Sequence, residues 1–288
     1  MNVRVLVENT TLTPDCGAEH GLSLYIETKR HRLLFDLGQG ELFLRNAEKM
    51  GVDVAGVDAV ILSHDHYDHG GGIAEFLRHN DTANVYVHPE AFRPRFAMRE
   101  DGRIEPIGLD ASLANHPRIR RTGRRVFKLD EELMLFSGVR ANRLRPPANR
   151  TLLREASEGT APDDFRHEQN LMIIDEGAGD VLFTGCAHNG ITAILETACA
   201  LRERSPRAVV GGFHLCLAEG AGEPEAGNGT LLCYADGDLR AALSYMDEHP
   251  GCALAPTGEA EEARRFAASR GYRRLFYFSN GEKSEVCL

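Results

Sequence analysis

The sequence predicts an α/β protein built of layered strands and helices. Short apolar runs rich in β-branched residues recur towards both ends of the chain, and stretches with helical spacing of apolar residues separate them. The chain has 288 residues, of which 42% are hydrophobic, so it can bury a sizeable core. We expect a single domain, 1–288, without long repeats or low-complexity tracts.

The strands and helices fall into two groups along the chain. In the N-terminal part, strands are expected at Val3–Val7, Leu22–Glu27, Arg32–Asp36, Val57–Leu62 and Asn84–His88, and a helix at Leu42–Met50. The pattern resumes near residue 170. There, strands are expected at Leu171–Asp175, Val181–Thr184, Ala208–Gly212 and Leu275–Phe278, and helices at Gly190–Arg204, Leu239–His249 and Glu259–Arg270.

Residues 91–167 differ from both groups and predict an insertion between the two halves. The segment is rich in arginine, most densely in RIRRTGRR at 118–125. Two interpretations remain open: the arginines bind an anionic substrate, or they pair with neighbouring acidic residues on a solvated surface. Under the first interpretation, the residues that contact substrate are Arg120, Arg121 and Arg124.

Charge and cysteine usage narrow the class of protein. Lys and Arg number 33 against 43 Asp and Glu, for a formal net charge of −10, which argues against nucleic-acid and membrane-surface partners. The seven cysteines show no paired spacing and no signal peptide is apparent, which predicts reduced thiols in a cytoplasmic protein. The sequence does not indicate an oligomeric state.

The strongest functional signal is SHDHYDHGGG at 63–72, which follows an apolar strand. His64 and His66 are two residues apart and point the same way in extended chain, while Asp68 and His69 come after the turn. Asp65 points away, as a supporting or surface residue, and the glycines let the backbone approach a bound group. We expect one or two divalent transition metal ions, zinc first, with iron, manganese or nickel as alternatives.

This HxHxDH pattern resembles that of the metallo-β-lactamase superfamily. RLLFDLG at 32–38 and VLFTGC at 181–186 resemble two further strands of that superfamily. More narrowly, the chain is similar to the branch named after 7,8-dihydropterin-6-methyl-4-(β-D-ribofuranosyl)aminobenzene-5′-phosphate synthase, through VENT, EHGLS, LSHDHYDHGGG, TGCAHNGI and GGFHL. The resemblance implies a four-layer αβ/βα sandwich with metals at one edge of its two sheets.

The resemblance also implies roles for residues outside the motif. Asp36 supports the metal loop, His188 and His214 complete the ligand set, and His20 faces the substrate. His214 can equally be a core histidine. Cys186 stands where the family has a bridging aspartate, and is either a thiolate ligand or a small buried residue near the metal.

Two positions depart from the branch. The family more often shows an acid where His167 stands, and both His167 and Glu168 can reach the site. A late strand that usually ends in HCTG reads APTG at 255–258, so Ala255 replaces a histidine. The departure at Ala255 predicts either a weaker second metal site or a different substrate.

The implied activity is hydrolysis of a small, anionic or phosphorylated substrate. Two cations would hold a water molecule and lower its pKa, with Asp68 and His188 as the catalytic residues. The synthase reaction of the branch, which joins a pterin diphosphate to an aromatic amine and releases pyrophosphate, is an alternative, as is a non-catalytic metal-binding protein. A di-iron redox enzyme is disfavoured by His66, and a nuclease by the acidic net charge.

Overall fold

The computed structural model describes residues 1–9, 11, 15–123, 125–140, 146–212, 254–256 and 283–285. The chain forms two compact units. The first comprises Met1–Gly123, Thr151–His167 and Ser279–Cys287, and the second comprises Arg124–Arg150, Glu168–Phe278 and Leu288. The elements expected at Leu239–His249, Glu259–Arg270 and Leu275–Phe278 lie outside the described residues.

Strands make up most of the described regular structure. In chain order they are β1 (Asn2–Val7), β2 (Ser23–Glu27), β3 (Arg32–Phe35), β4 (Ala59–Ile61), β5 (Asn84–Val87), β6 (Arg95–Met98), β7 (Ile104–Pro106), β8 (Ile119–Arg121), β9 (Val126–Lys128), β10 (Leu133–Ser137), β11 (Leu152–Ala156), β12 (Gly159–Pro162), β13 (Gln169–Ile173), β14 (Val181–Thr184), β15 (Ala208–Gly211), β16 (Leu254–Pro256) and β17 (Lys283–Glu285).

The described helices are short. They are α1 (Leu42–Lys49), α2 (Tyr67–Gly70), α3 (Ile73–His79) and α4 (Ile191–Arg202), with 3-10 turns at Ala111–Asn115 and Pro147–Thr151. Among the described residues, none of these helices has the length and apolar character that crossing a membrane requires.

Two sheets lie in the described part of the first unit. Its larger sheet has the order β17-β1-β2-β3-β4-β5-β8, antiparallel from β17 to β3 and parallel from β3 to β8. Its smaller sheet has the order β12-β11-β6-β7 and is antiparallel throughout. The smaller sheet lies in the arginine-rich segment, where no strands are expected from the sequence.

The described part of the second unit contains one six-stranded sheet. Its order is β16-β15-β14-β13-β10-β9, antiparallel from β9 to β14 and parallel from β14 to β16. Strands β9 and β10 come from the arginine-rich segment 91–167, which therefore contributes chain to both units.

Each unit has its own apolar core. In the first unit, Leu34, Val60 and Val85 are in register on neighbouring strands and cluster with Phe43 of α1 and Phe76 of α3. Both phenylalanines are fully buried, and replacing either with alanine would cost about 3–5 kcal/mol. In the second unit, α4 supplies apolar side chains to a cluster with one row of the six-stranded sheet: Met134, Met172, Leu182 and Val209.

Candidate metal centre

The candidate site of the first unit lies where parallel strands end. Strands β3, β4 and β5 are parallel neighbours, so their carboxyl ends meet at one edge of the sheet. Asp36 follows β3 directly, and the Ser63–His69 segment follows β4. This edge is where ligands bind in open α/β sheets.

The glycines after the histidines pack closely against another backbone segment of the same chain. A Cβ on Gly71 would lie 2.1 Å from the carbonyl oxygen of Gln39, and one on Gly72 would lie 2.4 Å from that of Leu37. Only glycine allows this approach of two backbone segments. The sequence predicts that these glycines let the backbone approach a bound group. In the structure they let it approach the loop after β3, and this packing holds that loop against the metal motif.

Asp36, in the loop after β3, is hydrogen-bonded to the segment that carries the histidines. Its Oδ1 accepts a hydrogen bond from the Ser63 backbone N–H at 2.7 Å, and its Oδ2 accepts from Ser63 Oγ at 2.6 Å and His69 Nδ1 at 2.7 Å. Ser63 Oγ donates its proton to Asp36, so it accepts from His64 Nδ1 at 2.8 Å. Asp36 thereby places the ring protons of His69 and His64 on Nδ1.

Three imidazole rings converge in this loop. The ring centroid of His64 lies 4.5 Å from that of His66 and 4.1 Å from that of His69. All three side chains are buried, as is Asp68, whose Oδ2 lies 3.5 Å from His69 Nε2. The structure thus brings together the four residues that the sequence predicts as ligands in this motif.

The donor set and its spacing fit a transition metal ion. Two ligand atoms, each about 2.1 Å from one tetrahedral zinc ion, lie about 3.4 Å apart. The 3.5 Å between His69 Nε2 and Asp68 Oδ2 matches that separation. With protons on Nδ1, His64 and His69 carry their lone pairs on Nε2, as metal-binding histidines with a partner on the other nitrogen do.

The charge states of the loop suit metal binding. Burial, reinforced by the neighbouring His167, lowers the pKa of His66 to about 3, so this ring is neutral near pH 7. Burial acts to raise the pKa of Asp68, but His69, His20 and His66 outweigh it and hold that pKa below its ordinary value. A neutral imidazole beside an ionised carboxylate is the form in which both bind cations.

His20, expected to face the substrate, reaches the same carboxylate from the solvent side. Its Nε2 lies 3.3 Å from Asp68 Oδ2, while 61% of its side chain is exposed. The loop that carries it is fixed, because Leu22 N–H donates to the Asp68 carbonyl at 3.3 Å and Gln39 Nε2 donates to the His20 carbonyl at 2.7 Å. His20 can therefore contact both Asp68 and a molecule arriving from solvent.

Behind the loop lies a buried group of four charged residues, here called the ion quartet: Asp65, Arg95, Asp163 and His167. Asp65 Oδ1 contacts His167 Nδ1 at 2.5 Å and Arg95 Nε at 3.0 Å. Asp163 Oδ2 contacts His167 Nε2 at 3.2 Å and Arg95 Nε at 3.8 Å. None of these side chains is more than 5% exposed.

The ion quartet is balanced in charge. Burial alone would lower the pKa of His167, but Asp65 and Asp163 outweigh it and raise the pKa to about 9. Burial alone would raise the pKa of both aspartates, but their contacts with His167 and Arg95 outweigh it and lower those pKa values. His66, Asp163 and His167 offer ligand atoms within 4.8 Å of one another. An imidazolium held by carboxylates on both nitrogens has no lone pair for a metal, however, so His167 supports the loop.

The second unit positions His188 after strand β14. Asn149 Oδ1 contacts His188 Nδ1 at 2.9 Å, and Asn149 Nδ2 donates to the His188 carbonyl at 2.7 Å. Glu168, which is buried, accepts from the backbone N–H of His188 at 2.6 Å and of Asn189 at 3.0 Å. Cys186, two residues earlier, is partly buried. The turn contains Ala187 at φ 52°.

The arginines of the middle segment have mixed surroundings. Arg118 donates to the carbonyls of Leu77, Asn80 and Ala83 around the end of α3. Arg121 is exposed and donates to the Pro89 carbonyl at 2.9 Å. Arg120 is exposed, and two expected site residues, Arg124 and His214, lie outside the described residues.

Four residues that support these histidines have little or no signal in the sequence. Ser63 was visible as the first residue of the motif, and Asp163 stands four residues before His167. Arg95 was seen only as one arginine among many. Asn149 gave no signal, since it lies 39 residues from the histidine that it contacts.

Residues 16–198 match the family model of the metallo-beta-lactamase superfamily. The match covers more than half of the chain, so the protein belongs to this superfamily. The expected α/β fold class is confirmed by that match together with the mixed sheets and helices of the structure.

Several known proteins are similar to this chain. A 7,8-dihydropterin-6-methyl-4-(β-D-ribofuranosyl)-aminobenzene-5′-phosphate synthase of Methanocaldococcus jannaschii is 28% identical over 227 residues, 70% of this chain and 73% of the relative. An uncharacterized protein of the same organism is 29% identical over 222 residues, 74% of this chain and 79% of the relative. The resemblance to the synthase branch is thereby confirmed.

Two solved structures share the fold. A metal-dependent hydrolase of the β-lactamase superfamily superimposes with a TM-score of 0.76 at 24% identity, covering 99% of each chain. Human tRNase Z, short form, superimposes with a TM-score of 0.53 at 12% identity, covering 100% of each chain. At these identities the likeness concerns the fold alone.

Proposed function

We propose that this protein is a metal-dependent enzyme of hydrolase type that acts on a small anionic or phosphorylated substrate. The observation that carries the proposal is the convergence of three buried imidazoles with Asp68 at the carboxyl edge of parallel strands. In this proposal zinc is the metal, and the ligands are His64, His66, Asp68, His69, His188 and His214.

The chain's own residues suit the handling of an attacking water molecule. When bound, a divalent metal ion supplies Lewis acidity and lowers the pKa of water towards neutrality. Asp68, kept ionised by its neighbours, accepts a hydrogen bond from that water and orients it for attack. His20, beside Asp68 and largely exposed, contacts the substrate.

An anionic substrate is supported by two features. His20 and the exposed Arg120 supply hydrogen-bond donors, and Arg121 and Arg124 add positive charge in the same run of sequence. The compound in the name of the 28% identical relative carries a 5′-phosphate group, which is a phosphate ester. Within the proposal, these residues bind the anionic group while Asp68 and the metal-binding histidines face the bond that reacts.

A second candidate function is a synthase that transfers a pterin-type group. The observation that favours it is the name of the same relative, which matches 70% of this chain. The metal ligands and the anion-binding residues would be shared with the hydrolase proposal, and the second substrate would be an aromatic amine in place of water.

The first experiment tests metal binding. The variant His64→Ala with His66→Ala should lose most of the zinc bound by the natural protein, because it removes two neighbouring imidazoles of the proposed centre. The matched control is His31→Ala with His79→Ala, two histidines outside the motif. Elemental analysis of folded protein gives the metal content, and equal zinc in the two double variants would reject the assignment.

A substrate panel then separates the candidates. The zinc-loaded protein is assayed with phosphodiesters, with lactones, and with a pterin diphosphate plus an aromatic amine. Asp68→Asn should reduce whichever activity is found by at least about 100-fold, since it removes the carboxylate that orients the attacking water. Turnover only with the amine would replace the hydrolase proposal by the synthase, and bound zinc without turnover would indicate a non-catalytic protein.

A further inference from the structure

Asn149 contacts both the main chain and the ring of His188. It lies in the 3-10 turn Pro147–Thr151 and, like His188, belongs to the second unit. Its Nδ2 lies 2.7 Å from the His188 carbonyl oxygen, and its Oδ1 lies 2.9 Å from His188 Nδ1. One side-chain amide is therefore bonded to two atoms of a single proposed metal ligand.

These two contacts determine which atoms carry hydrogen. A backbone carbonyl can only accept, so the amide atom facing it must be the N–H donor, because the reversed amide would set two oxygens 2.7 Å apart. The amide oxygen consequently faces His188 Nδ1. An amide oxygen also only accepts, so Nδ1 must carry the proton, and in a neutral ring Nε2 then carries the lone pair.

We infer that Asn149 is a positioning residue that holds His188 as the Nδ1–H tautomer and directs its Nε2 to a metal ion. The tautomer follows from the contacts alone, whereas the metal ion rests on the proposed function. This arrangement gives the middle segment of the chain a role that its arginine content did not suggest.

Glu168 and Asn149 fix different parts of His188. Glu168 accepts hydrogen bonds from the backbone N–H of His188 and from both the backbone and side chain of Asn189, so it fixes the main chain of the turn. Asn149 fixes the ring. In the first unit the carboxylate of Asp36 orients His69, but the amide of Asn149 achieves the same orientation without adding a negative charge.

The first test reads the tautomer directly in metal-free protein. Long-range proton–nitrogen correlation spectra of protein labelled with ¹⁵N-histidine distinguish a protonated from an unprotonated ring nitrogen, and His188→Gln assigns the signal. The natural protein should show His188 with its proton on Nδ1. A proton on Nε2 would overturn the inference, and this readout needs no variant at Asn149 to fold.

The second test uses Asn149→Ala, with Thr151→Ala in the same turn as the matched control. Asn149→Ala should let the Nε2–H tautomer appear and weaken zinc binding by about 10–100-fold in a competition titration with a chelator. Thr151→Ala should change neither. If both variants keep the natural tautomer and affinity, Asn149 does not position His188. A changed tautomer with unchanged zinc affinity would instead reject His188 as a ligand.

Discussion

Asp36 shows how one residue can set the geometry of several others. It accepts three hydrogen bonds, from the Ser63 backbone, the Ser63 hydroxyl and the His69 ring. It is fully buried, and its φ of 61° lies in the left-handed region, which asparagine tolerates as well as aspartate does. Asparagine at this position can therefore adopt the same backbone conformation, while it lacks the negative charge and one of the two acceptor oxygens.

We predict that Asp36→Asn weakens zinc binding by about 10–100-fold, because the His69 and His64 rings lose the acceptor that holds their protons on Nδ1. Asp58→Asn is the matched control, since exposed Asp58 accepts one backbone hydrogen bond, from Arg32, on the same sheet. Competition titration of both variants gives the affinities. Equal affinities would show that Asp36 is not needed to orient the rings.

The metal motif could be predicted from the sequence because its ligands are local. His64, His66, Asp68 and His69 lie within six residues, so their spacing alone brings them to one loop. Their supports are distant in sequence: His167 contacts Asp65 across 102 residues, and no periodicity encodes such a pair. The sequence therefore indicates the metal-binding residues, but it does not indicate the distant side chains that position them.

The ion quartet connects the small sheet to the Ser63–His69 loop. Arg95 begins β6 and Asp163 follows β12, while Asp65 belongs to the loop after β4. Arg95 contacts both aspartates from its buried Nε. Removing its charge would leave His167 as the only cation of the quartet beside two buried carboxylates, which is far more costly than losing an ion pair in water.

We predict that Arg95→Met lowers the free energy of unfolding by about 3–5 kcal/mol. The matched control is Arg99→Met, because Arg99 follows β6 directly and pairs with Glu105 in an exposed contact, worth at most about 1 kcal/mol. Urea unfolding of the metal-free proteins measures both changes. A loss for Arg95→Met no larger than that of the control would mean that the quartet contributes no stability.

Buried strands could be predicted from the sequence more readily than exposed ones. Strands β3, β4, β14 and β15 are almost wholly buried, and their continuous apolar runs marked them in the sequence. Strands β7 and β9 have three residues each, and none of these is buried. No apolar pattern distinguishes such short exposed strands from loops, so neither β7 of the small sheet nor β9 of the six-stranded sheet was expected.

Charge links the stability of the folded protein to pH. The raised pKa of His167, about 9 against about 6.5 unfolded, stabilises the folded chain fully below pH about 6.5, and this contribution is lost as pH rises through about 9. The lowered pKa values of Asp65 and Asp163 stabilise the chain above pH about 4, and that contribution is lost as pH falls. The quartet contributes most between these limits.

We predict that His167→Gln makes the stability of metal-free protein less sensitive to alkali. The formal net charge of −10 adds self-repulsion that the natural protein and the variant share, so their difference isolates His167. In urea unfolding between pH about 6 and 9.5, the natural protein should lose on the order of 3 kcal/mol more than the variant. His79→Gln, an exposed control, should follow the natural curve. Parallel curves for the natural protein and His167→Gln would mean that His167 is not the imidazolium of a buried ion quartet, and the loop would then depend on neutral hydrogen bonds alone.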